Sequence, residues 1–267
     1  VWNRTPAKCA SLVERGATLA STPAEAASHE VVFSMLLDDS GLRDLIASET
    51  GVLEGSAKVW VDCSSVSPEA AEYAAKAAAE EGVLYVSAPV SGNPAVVRGG
   101  KVIFAVSGPS LAVELARPFF EVIGRATHVV GESSQASVVK LCTNALLGVI
   151  IETLSEVAIL GEKCGVKRED LLTFINDSVV GSPFTAYKTP ALVELDYTPT
   201  FTTEGQLKDL RLALALAERV GASTPLVHAT EGEFDRLVTS GLGAGRDIAS
   251  VLQQVALDSE LDIKSEH

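Results

Sequence analysis

A chain of 267 residues, 47% hydrophobic and 21% charged, has the composition of a folded globular protein and enough length for one large domain or two modest ones. Its formal net charge of −14 excludes the basic footprint that nucleic-acid phosphates require, so no such partner is expected. Cys9, Cys63, Cys142 and Cys164 lie too far apart for a zinc site or a disulfide scaffold and point to a reduced intracellular protein.

The chain opens with VWNRT, which reads as the end of a strand running into a turn. A dinucleotide-binding fold normally begins with a strand, a glycine-rich turn and a helix that hold the pyrophosphate. No such segment stands ahead of Val1, so a unit of roughly 30 residues is expected upstream. The turn itself is informative, because this is where such folds read the adenosine ribose. Arg4 supplies cationic donors suited to a 2′-phosphate, with Asn3 and Thr5 completing the cradle, which favours NADP over NAD. A solvated turn arginine fits the same residues.

Short β-branched runs then alternate with alanine-rich stretches. Val31 to Leu36, Ala57 to Asp62 and Leu84 to Val86 read as buried strands, with a helix from Pro68 to Glu81 between two of them. That order implies parallel pairing in an α/β layer. Lys101 to Ser107 and Thr127 to Val130 are further strands, separated by a helix near Ser110 to Ile123. Residues 1–131 therefore form one α/β domain, and 132–267 a second that is all-helical. Its helices are expected at Ser134 to Lys163, Lys167 to Asp177, Leu207 to Val220, Pro225 to Ser240 and Asp247 to Leu257.

Three segments carry chemistry. Asp62-Cys63-Ser64-Ser65-Val66-Ser67-Pro68 follows a strand and opens a helix, so its hydroxyls face the sheet edge where ligands bind, although a capping motif reads the same way. Ser87-Ala88-Pro89-Val90-Ser91-Gly92 runs into Asn93, with small residues that let backbone N–H groups approach a carboxylate, or make an ordinary turn. In the apolar helix after Gly131, Lys140 and Asn144 are four apart and share a face. A buried amine needs partners, and desolvation would lower its pKa; a snorkelling surface lysine is the other reading.

Together and in order, these segments resemble the β-hydroxyacid dehydrogenase family over Val1 to about Leu257, through NRT, D-x-S-S-x-x-P, A-P-V-S-G, the Lys140/Asn144 helix and the later Leu207-Lys208-Asp209-Leu210. The resemblance implies an α/β Rossmann-type domain, lacking its first β-α unit, followed by an all-α domain. It implies an NADP-dependent enzyme in which Lys140 is the catalytic acid/base and Asn144 orients the substrate. Ser91 and Gly92 would bind the substrate carboxylate, with Asn93 alongside. Ser65 would contact the nicotinamide, Leu36 and Leu37 would line the cofactor, and Lys208 would close over the nicotinamide end. Asp209 reads as a structural neighbour of Lys208. Two departures stand out: Asn93-Pro94 follows Ser-Gly where a second glycine is usual, and Leu37 replaces a frequent proline.

The expected reaction is hydride transfer between nicotinamide and a short carboxylate-bearing alcohol or carbonyl substrate. An imine reductase on the same architecture, or a scaffold that has lost cofactor binding, are the rivals; Lys140 argues against both. The apolar helix from Ser134 implies a homodimer or homotetramer. No run is read as a membrane span or secretory leader, so a cytoplasmic protein is expected, and a mitochondrial one if a targeting segment precedes Val1.

Overall fold

The protein is described by a computed structural model covering residues 1–266. The chain separates into two compact units, Val1–Lys140 and Leu141–His267.

The first unit is built on a six-stranded mixed sheet, Rossmann-like, with helices on both faces. Strands β1 (Val31–Ser34), β2 (Val59–Asp62) and β3 (Leu84–Ser87) pair in parallel, with Val31 opposite Val59 and Val59 opposite Leu84. The other three are β4 (Val90–Ser91), β5 (Val102–Ser107) and β6 (Gly124–Gly131), giving the order β1-β2-β3-β5-β4, with β6 also paired to β5. The parallel pairing expected of the first three strands is present, whereas β5 runs antiparallel to β3 and β4. Only residues 92–101 join β4 to β5, too short a connection for the crossover that parallel pairing requires. β6 returns to parallel pairing because the helix Ser110–Ile123 supplies that crossover.

The central strand shows how sequence becomes two layers. Val59, Trp60 and Val61 are all fully buried, and alternation sends them to opposite faces. Val59 and Val61 join Val86, Phe104, Val106 and Phe120 in one core; Trp60 joins Tyr85 and the alanines of the helix Pro68–Glu80 in the other. That helix starts where Ser67 accepts from Ala70 N (3.1 Å) with Pro68 in its first turn, and Ala70, Ala71, Ala74 and Ala78 form the buried face. The helix Asp39–Ala47, absent from the expected elements, begins in a run that resembles a turn. Asp38 caps it by accepting from Gly41 N at 2.9 Å. Val1–Thr5 forms no strand: Val1 N donates to Thr18 O (2.7 Å) and Val1 O accepts from Ala20 N (2.8 Å), while Thr5 O accepts from Lys8 N (2.9 Å) where the turn Pro6–Cys9 begins.

The second unit is helical throughout. The long helix Gln135–Lys163 enters it at Leu141 and is followed by Arg168–Asp177, Pro183–Glu194, Thr203–Val220, Pro225–Thr239 and Val251–Asp258. Their core includes Ile151, Leu154, Ile159, Leu172, Leu192, Leu210, Phe234 and Leu252. The helix Pro183–Glu194 was not anticipated because Pro190 interrupts its pattern; a capping box between Ser182 and Thr185 starts it, with Pro183 in its first turn. Gln135–Lys163 is long and apolar enough to cross a membrane by length and composition, which corrects the reading that no stretch was. Its buried Asn144, Glu152 and Ser155, and its apolar residues in the unit's own core, are what a core helix carries.

Candidate active site

Within the first unit, the predicted residues other than Asn3, Arg4 and Thr5 lie in or beside the loops that follow β1, β2 and β3, where an open parallel sheet presents its loops to ligands. The loop after β1 carries half-buried Leu36 and exposed Leu37, the latter 76% accessible. The loop after β2 divides its three hydroxyls. Ser67 caps the following helix and is held by Asp39, through Ser67 N to Oδ1 (2.8 Å) and Oγ to Oδ2 (2.5 Å). Ser64 is buried, donating to Asp62 Oδ1 (2.6 Å) and accepting from Leu36 N (2.8 Å). Ser65 is half-buried. The capping reading thus holds for Ser67 alone.

Asp62 is the residue whose part the sequence did not reveal. Its buried carboxylate accepts from Ser34 Oγ (2.7 Å), Ser64 Oγ (2.6 Å), Ser64 N (3.3 Å) and Tyr85 Oη (3.2 Å). Burial pushes its pKa above the ordinary range, against the lowering effect of these donors. Burial and the adjacent Asp62 charge likewise raise the thiol of Cys63 and the phenol of Tyr85, which suppresses thiolate chemistry at Cys63. An acidic residue at a strand end, followed two positions later by serine, was the available signal.

The loop after β3 is antiparallel β4 and a short helix, Pro94–Arg98. Asn93 caps that helix, its Oδ1 accepting from Ala95 N and Val96 N, both at 3.0 Å. The Asn93-Pro94 departure therefore builds a helix start: its carbonyl is engaged in the chain itself. Gly92 has φ +144°, and a Cβ there would lie 2.8 Å from Val96 Cγ1, so the position requires glycine. Ser91 and Gly92 are exposed.

Lys140 is brought to this loop. The start of its helix is fastened to the sheet by Ala136 N donating to Ser107 Oγ (3.0 Å), Ser107 Oγ donating to Ser133 O (2.7 Å), and Ser134 Oγ donating to Glu72 Oε1 (2.7 Å). The half-buried Lys140 donates from Nζ to Val90 O at 2.8 Å, the carbonyl directly before Ser91. A lysine snorkelling into bulk water would not make that contact.

In the second unit, Asn144, Lys208 and Asp209 form one group. Asn144 is buried and donates from Nδ2 to Asp209 Oδ2 (2.5 Å), while its backbone carbonyl accepts from Gln206 Nε2 (3.0 Å). Lys208 Nζ lies 2.8 Å from Asp209 Oδ1, close enough for an ion pair but out of line for a hydrogen bond. Asp209 accepts only, so it fixes which end of the Asn144 amide faces it. Asn3, Arg4 and Thr5 are exposed at the N-terminal turn, where Asn3 Oδ1 accepts from Thr5 N at 2.9 Å. No cluster of three or more metal-ligating side chains occurs among the described residues.

A Rossmann-like unit with a lysine at the strand-end loops, joined to a helical unit, defines a nicotinamide-dependent oxidoreductase. Residues 1–131 match the NAD binding domain of 6-phosphogluconate dehydrogenase, and residues 134–255 match the NAD-binding domain of NADP-dependent 3-hydroxyisobutyrate dehydrogenase. Glyoxylate/succinic semialdehyde reductase 1 of Arabidopsis thaliana is 30% identical over 97% of this chain and 91% of its own length. The chloroplastic reductase 2 of the same plant is 31% identical over 95% of this chain and 71% of its own. The crystal structure of a 3-hydroxyisobutyrate dehydrogenase from Salmonella typhimurium shares the fold at a TM-score of 0.86, with 22% identity over 95% of this chain and 90% of that one. The chain belongs to the β-hydroxyacid dehydrogenase family of NAD(P)-dependent oxidoreductases.

Proposed function

We propose that the protein interconverts a short β-hydroxyacid and the corresponding aldehyde or keto acid with NADP, Lys140 serving as general acid/base. The observation that carries this reading is the Lys140 ammonium on the Val90 carbonyl, next to Ser91 and the N–H-presenting Gly92. An amine beside a loop that can take a carboxylate is poised to exchange a proton with an oxygen near that carboxylate. In reduction Lys140 Nζ would protonate the carbonyl oxygen; in oxidation it would accept the alcohol proton. By the resemblance, Asn144 would orient the substrate, and Lys208 would supply positive charge to a substrate anion in a chain of net charge −14.

Leu36, Leu37 and Ser65 fit a nicotinamide ring, offering apolar side chains and a hydroxyl at the strand ends. When bound, that ring supplies or takes the hydride. Asn3, Arg4 and Thr5 would hold the adenosine 2′-phosphate. The match of residues 134–255 to an NADP-dependent enzyme's domain supports NADP over NAD. The two plant relatives support glyoxylate and succinic semialdehyde as the first substrates to assay. The same reading includes a cytoplasmic enzyme without nucleic-acid or membrane partners, and a homodimer or homotetramer, for which exposed Leu146, Leu160, Phe174, Val179 and Val180 in the second unit speak.

The test is Lys140→Ala in the full-length protein. Turnover of aldehyde acids with NADPH is expected to fall by about 10²-fold or more, while NADPH affinity measured by fluorescence titration is retained. Unchanged turnover would remove Lys140 from the mechanism, and faster reduction of cyclic imines than of aldehyde acids would move the protein to imine chemistry.

A further inference from the structure

We infer that Asp62 is a positioning residue for the nicotinamide end of the site, holding the loops after β1 and β2 at a fixed spacing through Ser34 and Ser64. The inference rests on the cofactor reading above.

Asp62 ends the fully buried strand β2 and is itself 1% accessible. Oδ1 takes both serine hydroxyls and Ser64 N, while Oδ2 takes the Tyr85 hydroxyl, so a single carboxylate ties the ends of β1 and β2 to the side chain of Tyr85 on β3. The Trp60 Nε1–H and the Leu36 N–H can only donate, which leaves each serine's own proton for Asp62 Oδ1. Each serine must spend its proton inward and is left with lone pairs facing outward. Ser34 Oγ uses them to accept from Trp60 Nε1 at 2.8 Å, and Ser64 Oγ to accept from the backbone N–H of Leu36 at 2.8 Å.

The tether therefore runs from the β1 loop to β2 with a defined polarity. Leu36 N binds Ser64, whose proton binds Asp62. Leu36 and Leu37 lie at one end of that chain, and Ser65 directly follows the serine at the other. These are the residues assigned to the nicotinamide, so their mutual distance is set by a carboxylate that need not touch the cofactor. Asparagine could keep both serine bonds on an amide oxygen set where Oδ1 stands and would turn its NH2 only toward the Tyr85 hydroxyl, whereas alanine removes the acceptor altogether.

The experiment compares Ser64→Ala, Ser64→Thr and Asp62→Ala with the wild-type protein. In Ser64→Ala, amide exchange at Leu36 without cofactor is expected to accelerate about tenfold or more, with melting close to wild type. The KM for NADPH is expected to rise about tenfold while the KM for the aldehyde acid stays constant, a split that a general loss of structure would not produce. Ser64→Thr keeps the hydroxyl and should match the wild type in both readouts; Asp62→Ala, if it folds, should reproduce the Ser64→Ala effect. Wild-type exchange at Leu36 or a wild-type KM for NADPH in Ser64→Ala overturns the inference. A wild-type protein that does not bind NADPH overturns the cofactor reading and with it the purpose of the tether. The Leu36 exchange data, which need no cofactor, tell the two failures apart.

Discussion

Arg4 illustrates how much a single side chain can decide at the scale of the residue. It is exposed beside the Asn3–Thr5 turn; on the NADP reading it would answer the 2′-phosphate charge, and replacing it with alanine should weaken NADPH binding about tenfold while leaving NADH binding unaltered in parallel titrations. Equal losses for both cofactors would assign it a structural role. Part of this scale was legible: the resemblance singled out Lys140 and the Ser91–Gly92 turn, and Lys140 Nζ reaches the carbonyl of Val90, directly before Ser91. The parts that Asn93 and Asp62 play were not, since capping and buried acceptance depend on which donors the fold delivers. A carboxamide before proline looks the same in sequence whether it meets a ligand or two backbone N–H groups. Asp62 likewise reads as one of 35 acidic residues until Ser34 and Tyr85 are carried to it from neighbouring strands.

Among the elements, the helix Gln135–Lys163 bears the most, and two of its positions give clear expectations. Gly148 lies where a Cβ would stand 2.6 Å from Gln206 Nε2 and 3.3 Å from Leu210 Cδ2. Gln206 is fully buried and cannot move without giving up its bond to the Asn144 carbonyl. Gly148→Ala should therefore destabilise the protein by about 1–3 kcal/mol in denaturant titration. Glu152, buried at 6% accessibility with Oε2 unpaired, has its pKa pushed up to about 8, first by burial and then by the negative charges of Glu233 and Glu156. The native state thus holds this proton more tightly than the unfolded chain, whose glutamate titrates near 4.5. The stability it contributes is complete below that value and is lost as pH rises toward about 8. Glu152→Gln should raise the melting temperature at pH 8 by about 3 °C or more, with the gain fading toward pH 4.5. The apolar pattern located this helix to within a residue; Pro183–Glu194 escaped because an internal proline hides a helix that its capping box still starts.

Over the whole molecule, each unit has cores of its own. Both tryptophans, Trp2 and Trp60, belong to the first, so indole fluorescence reports on that unit while far-UV dichroism weighs the helices of the second. Denaturation followed by the two probes should give midpoints that do not coincide; superimposed curves would mean that the units unfold as one. The order of strands and helices was readable from hydrophobic period alone, whereas the antiparallel turn of β5 followed from connection length, which a parallel α/β pattern obscures. The cysteines have a practical consequence. Cys9 and Cys63 are buried, whereas Cys142 and Cys164 are exposed, one near the beginning of the long helix and the other just past its last turn. At 1.5 Å per residue their backbones lie roughly 33 Å apart. The chain thus comes with a pair of native attachment points for spin labels or dyes, a molecular ruler along the helix that carries Lys140, on which any flexing during turnover could be read directly.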